Sequence, residues 1–158
     1  MSEYDANAQQ PPGPDPALKR LEKFVGTWSM KGRTLDADQD NVFGKTTFEW
    51  LPGGFFLQQR IELEFMGMAV RGLEVIGYDP STGKFPSTVY SNLVGVPIAY
   101  EYDVQDDRFT IRTELAGGAT YTGTFSKDGN SGSGGWRPDK GKEGPGNVAY
   151  DLTLTRVS

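Results

Sequence analysis

The sequence predicts an all-β fold, a single antiparallel, mostly up-and-down barrel of about ten strands with one short N-terminal helix. Three observations predict it. Everything after Gly26 alternates apolar and polar residues with period two. Turn chemistry breaks that alternation at intervals of about ten to seventeen residues, as in an antiparallel meander. One helix cannot cover the edges of so many strands, and closing the sheet removes those edges.

A chain of 158 residues suits one core and buries about 70 % of its unfolded surface without disulfide or metal staples. Residues 1–14 hold little to bury, so a disordered Pro-rich tail is expected there, with the barrel domain over 15–158. The run from Asp15 to Gly26 then supplies an Asp cap, Pro at the first helical position, apolar residues at 18, 21 and 25, and Gly as a stop.

The expected strands are Thr27–Leu35, Gly44–Leu51, Phe55–Phe65, Met68–Tyr78, Lys84–Leu93, Pro97–Val104, Arg108–Leu115, Ala119–Lys127, Ser131–Arg137 and Asn147–Val157. Turns at Pro52-Gly53-Gly54, Asp79 to Gly83, Gln105-Asp106-Asp107, Gly117-Gly118 and Asp128-Gly129-Asn130 separate them. Gly32, Gly72, Gly123 and Gly134 fall inside strands, where a closed sheet bends sharply. An inner face runs through Leu57, Gln59, Ile61, Leu63 and Phe65, then Ile98, Tyr100, Tyr102 and Val104, then Phe109 to Leu115, and finally Val148, Tyr150, Leu152 and Leu154.

Composition excludes several chemistries. With no histidine and no cysteine, the chain cannot build a Ser-His-Asp or Cys-His nucleophile, a conventional zinc site or a histidine-ligated haem. A formal charge of −5 repels phosphate backbones, and no basic patch offsets it, so no nucleic-acid partner is expected. The first sixteen residues lack a basic segment and an apolar core, and no apolar run approaches the ~20 residues of a membrane span. The expectation is a cytoplasmic protein with no metal and no cofactor.

Gly26-Thr27-Trp28 at the entry of the first strand, after a short helix, resembles the opening of lipocalin-type (calycin) barrels. That resemblance implies that Arg156, on the last strand, lies across the Trp28 ring and closes the barrel bottom, a structural role. The order Leu21-x-x-Phe24-Val25-Gly26-Thr27-Trp28, Gly53-Gly54-x-Phe56-Leu57, Met66-Gly67-Met68, Gly72-Leu73 and Gly77-Tyr78-Asp79 with Thr82-Gly83-Lys84 is similar to a bacterial domain-of-unknown-function family with a lipocalin-like barrel. Members often carry Trp and Asp in the strand after the Gly-Tyr-Asp turn, where this chain has Val89 and Ser91. The resemblance implies a fold and no established activity. A more distant likeness is to nitrobindin, whose haem histidine has no counterpart here.

Three strings resemble sites without their context. Gly144-Pro145-Gly146-Asn147-Val148-Ala149 leads into a strand, where a dinucleotide loop needs a helix. Phe43-Gly44-Lys45-Thr46 lacks the first P-loop glycine. Asp36, Asp38 and Asp40 mimic a calcium loop, but Asn41 and Thr47 stand where Gly and Glu belong. The glycine-rich segment Asp128–Gly146 reads as a lid over one mouth or as an edge hairpin.

A ten-stranded barrel is wider than the roughly eight strands that side chains alone fill. The candidate ligand-binding residues are Phe48, Trp50, Gln59, Ile61, Tyr100, Tyr102 and Tyr150, rings with a few polar groups, which line a pocket or pack as ordinary core. Strand four offers either Arg71 or Glu74 inward. An inward Arg71 binds a ligand carboxylate, unless an ion pair or a bulge disposes of the charge.

Three readings of function follow. The leading one is a non-enzymatic barrel binding a small hydrophobic or amphipathic molecule. The second is a calycin-type, decarboxylase-like enzyme using Tyr100, Tyr102, Arg71 and Glu74 on a carboxylate substrate. The third is a structural or interaction module, with the tail engaging a partner or strand edges pairing into a homodimer.

Overall fold

Asp15 caps the N-terminal helix by accepting from the Ala17 backbone N–H at 2.9 Å, and Pro16 follows it. In the computed structural model, which describes residues 12–158, this helix is a 3₁₀ helix over Pro16–Phe24. Its buried stripe is Leu18, Leu21 and Phe24, a spacing of three that matches three residues per turn. The expected α-type stripe at 18, 21 and 25 is therefore corrected at its last position. The proposed tail lies, for residues 1–11, outside the described residues.

Ten strands follow: β1 (Gly26–Thr34), β2 (Val42–Trp50), β3 (Leu57–Phe65), β4 (Met68–Ile76), β5 (Phe85–Ser91), β6 (Val94–Gln105), β7 (Arg108–Thr113), β8 (Ala119–Phe125), β9 (Ser131–Pro138) and β10 (Tyr150–Arg156). Each pairs antiparallel with its neighbour in sequence, and β1 pairs with β10 to close the barrel. Most strand ends lie within two residues of expectation, and three departures have a visible structural cause. β6 starts earlier, because Ser91 pairs with Val94 across a register shift after Val89. β7 stops at Thr113, where a short 3₁₀ turn over Leu115–Gly117 takes over. β10 begins at Tyr150, and the residues before it form a loop.

The end carrying the helix is plugged. Phe24 inserts among Phe48, Phe109, Phe125 and Tyr102 at ring-centre separations of 4.9–6.0 Å, within the range at which offset and edge-on rings attract. Trp28 is 1 % exposed, and its indole N–H donates to the Phe24 carbonyl at 2.8 Å. Arg156 pairs across the closing seam with Trp28, and its guanidinium carbon lies 4.1 Å from the indole centre. The same guanidinium donates to the carbonyls of Val25, Lys23 and Gly129, joining helix, seam and the β8–β9 turn at one point.

The opposite end is formed by the β1–β2, β3–β4, β5–β6, β7–β8 and β9–β10 connections. Met68, Leu93 and Leu115 stand exposed on this rim. Much of the Asp128–Gly146 segment is β9 itself (Ser131–Pro138), so the lid reading is corrected to the loop over 139–149. That loop is pinned: the Asn147 amide donates to the carbonyls of Ala116, Gly118 and Lys142, and Arg112 grips Asp139 through two bonds of 2.6 and 2.7 Å. Among the described residues no helix is long and apolar enough to cross a membrane.

Candidate functional site

The barrel interior is hollow. A cavity of about 630 Å³ runs from the aromatic plug to the rim, inside the ~300–1,000 Å³ range of small-molecule pockets. Its upper wall includes Leu63, Phe65, Val70, Val148 and Leu152. No lysine, arginine or aspartate lines it, and Glu74 is its one carboxylate.

Glu74 comes inward because of the hairpin before it. Met66 and Gly67 take φ of 49° and 85°, the two left-handed positions of a tight two-residue turn, and this turn pairs Phe65 with Met68. Counting back by twos, Leu63 faces Val70, Ile61 faces Gly72 and Gln59 faces Glu74. The apolar inner face of β3 thereby carries Glu74 into the lumen and turns Arg71 outward. Arg71 is exposed and donates to the carbonyls of Leu63 and Val70. The expectation of an inward Arg71 is corrected on this ground.

Glu74 is 1 % exposed and takes three donors. Tyr102 donates its hydroxyl at 2.8 Å, Ser87 its hydroxyl at 2.6 Å, and the Gln59 amide also donates to it. Gln59 in turn lies 2.6 Å from the Thr46 hydroxyl, which reaches it from β2. No cation belongs to the set. Burial pushes the Glu74 carboxyl above its usual range, against the pull of the bonds from Ser87, Tyr102 and Gln59. The carboxylate in turn raises the phenols: Tyr102 is driven up first by burial and then by Glu74, and Tyr100 is pushed to about 12 by the same two causes.

The far wall is aromatic. Tyr121, Trp136 and Tyr150 stand in register across β8, β9 and β10. Tyr100 approaches Trp136 with ring centres 5.7 Å apart, and Tyr121 does so at 5.6 Å. Gly123 and Gly134, paired across β8 and β9, make the bed for the Tyr121 ring. A Cβ on Gly134 would stand 2.6 Å from the Tyr121 hydroxyl and 2.4 Å from the Thr122 carbonyl, and one on Gly123 would stand 2.6 Å from the Tyr121 ring.

Of the residues expected to bind ligand, Phe48, Gln59, Ile61, Tyr100, Tyr102 and Tyr150 line the cavity. Trp50 does not. It sits at the plugged end, where its indole N–H donates to the Glu22 carboxylate at 3.0 Å. Sequence reasoning missed Thr46, Tyr121 and Trp136 as lining residues and Ser87 as a partner of Glu74. The alternation Ala119, Tyr121, Gly123, Phe125 carried the signal for Tyr121, and cross-strand register from Gln59 carried it for Glu74. Among the described residues no group of three or more Asp, Glu, His or Cys side chains could hold a metal ion. In the acidic loop Asp40 is instead 3.2 Å from the Arg33 guanidinium.

Comparison with known proteins adds the following. A family model for proteins of unknown function, DUF1579, matches residues 13–128. No curated protein matches. Among solved structures, the crystal structure of Rv2717c from M. tuberculosis is similar with a TM-score of 0.61 at 15 % identity, over 92 % of this chain and 99 % of that one. The S-type phycobiliprotein lyase CPES from Guillardia theta is similar with a TM-score of 0.57 at 14 % identity, over 89 % and 92 % of the two chains. At such identities the likeness concerns the barrel.

Proposed function

The chain belongs to DUF1579, a family of proteins of unknown function, and we propose that it binds a small hydrophobic or amphipathic molecule inside its barrel. The observation that carries this reading is the cavity of about 630 Å³, plugged at one end by packed rings and rimmed at the other by exposed Met68, Leu93 and Leu115. Its walls combine apolar area for burial with a few polar groups, the arrangement by which pockets orient small molecules. The resemblance to a barrel that serves a phycobiliprotein lyase supports use of the interior. Phe48, Gln59, Ile61, Tyr100, Tyr102 and Tyr150 are the ligand-contacting residues in this reading. The decarboxylase-like alternative required an arginine in the cavity, and Arg71 points the other way.

Titration with the neutral dye N-phenyl-1-naphthylamine tests the proposal. Saturable, one-to-one binding is expected, and Ile61→Trp, which places a ring in the lumen, should weaken it at least tenfold while circular dichroism stays unchanged. Absence of saturable binding, or an affinity indifferent to Ile61→Trp, would refute it.

A further inference from the structure

Three phenol hydroxyls of the cavity wall open onto the lumen and have no partner among the described residues. Tyr102 donates to Glu74, but Tyr100, Tyr121 and Tyr150 make no side-chain hydrogen bond among the described residues. The indole N–H of Trp136 likewise has no acceptor there. Because they open onto the lumen, a guest's polar group can reach them. These four residues are neighbours: Tyr121, Trp136 and Tyr150 occupy one cross-strand row, and Tyr100 packs against Trp136.

The chemistry of this cluster is one-sided. An indole N–H only donates, and a phenol conjugates its oxygen lone pair into the ring, so it donates better than it accepts. The cluster therefore matches an acceptor. The charge of that acceptor follows from the rest of the lining. No cation faces the lumen to offset an anion, Glu74 shares the space, and burying a carboxylate without a partner is strongly disfavoured. A cationic head finds its one candidate partner, Glu74, already holding Gln59, Ser87 and Tyr102.

Resting on the carrier reading above, we infer that the occupant is an uncharged molecule with a carbonyl-type oxygen, held by the hydroxyls of Tyr100, Tyr121 and Tyr150 with its planar part against Trp136. The glycine pair Gly123 and Gly134 keeps the Tyr121 ring flat on the wall, which leaves the space in front of the cluster open to the guest.

A matched series of naphthalene, 2-acetylnaphthalene, 2-naphthoate and 2-naphthylmethylamine, titrated by calorimetry at pH 7.5, tests this. The ketone should bind about tenfold tighter than naphthalene and tighter than either charged analogue. In Tyr100→Phe/Tyr150→Phe the ketone's advantage should vanish while naphthalene binds as before. With no ligand present, the melting temperature of that variant should equal or exceed the parent's, because no internal bond is lost. Equal binding of ketone and naphthalene, a preference for the carboxylate or the amine, an advantage that survives both substitutions, or a lowered melting temperature would each overturn the inference and leave the carrier reading standing. Failure of the whole series to bind would remove both.

Discussion

Replacing Glu74 with glutamine should remove a pH dependence that the parent protein carries. Burial raises the carboxyl in the folded state, while the unfolded chain titrates near ~4.3. Between those two values the folded protein holds a proton that the unfolded chain has released. Stability must then fall as pH rises through that window, with a limiting slope of about 1.4 kcal/mol per pH unit, and level off once the folded-state value is passed. Glutamine fits the same shell: its carbonyl accepts from Gln59 and Tyr102, and its amide donates to Ser87, whose hydroxyl turns to accept. Glu74→Gln should therefore match the parent near pH 4 and exceed it increasingly from about pH 5 upward. Glu74→Leu, which strips three donors of their acceptor, should cost about 3 kcal/mol at roughly 1 kcal/mol per bond. Urea unfolding followed by tryptophan fluorescence at pH 5, 6, 7 and 8 measures all three proteins. A parent-minus-glutamine difference that stays flat across this range, or that grows in the parent's favour, would refute the reasoning. Asp79, Asp128 and Asp139, all shifted downward by their hydrogen bonds, do not interfere, since they are ionised in both states above pH 5.

Two further outcomes are expected. Arg156→Met loses the indole contact, worth about 0.5–2 kcal/mol, and three bonds to carbonyls. Denaturant titration should show a loss of about 3 kcal/mol, and a loss below about 1 kcal/mol would mean that the aromatic plug holds without it. Asn147→Ala removes the amide that ties the loop over 139–149 to three carbonyls, so hydrogen exchange in that loop should accelerate about tenfold, as for roughly 1.4 kcal/mol, while β2 to β6 keep their protection. Unchanged exchange there would show that the Arg112–Asp139 pair alone fixes the loop.

The fold was legible because alternation and turn residues are local signals. The ten strands and their antiparallel order follow from residues that speak for themselves, whereas the Trp28–Arg156 seam was implied by the resemblance to lipocalin-type barrels. Where the reading went astray, the deciding force was not local. The N-terminal segment carries an ordinary helix start, but docking Phe24 into a ring of four aromatics selects the tighter 3₁₀ winding. β10 starts late because the Asn147 side chain is committed to carbonyls of the β7–β8 turn. Strand four was balanced on its own residues, with Leu73 and Val75 on one face and Val70 and Ile76 on the other, and the two-residue Met66-Gly67 turn broke the tie by transmitting the phase of β3. The candidate site was half legible: Phe48, Gln59, Ile61 and three tyrosines alternate visibly, whereas Ser87 and Thr46 are small residues whose importance exists only once Glu74 lies between their strands. Trp50 has the right phase and the wrong height, because it sits past the level of Phe48 and meets the helix.

The lining described above has a consequence for how a guest would be treated. It presents no amine, imidazole or thiol, and its phenols keep their protons well beyond neutrality. A reactive aldehyde or enone inside such a wall meets no group able to form an imine or a thioether with it. A guest of that kind is spared covalent capture by these two routes.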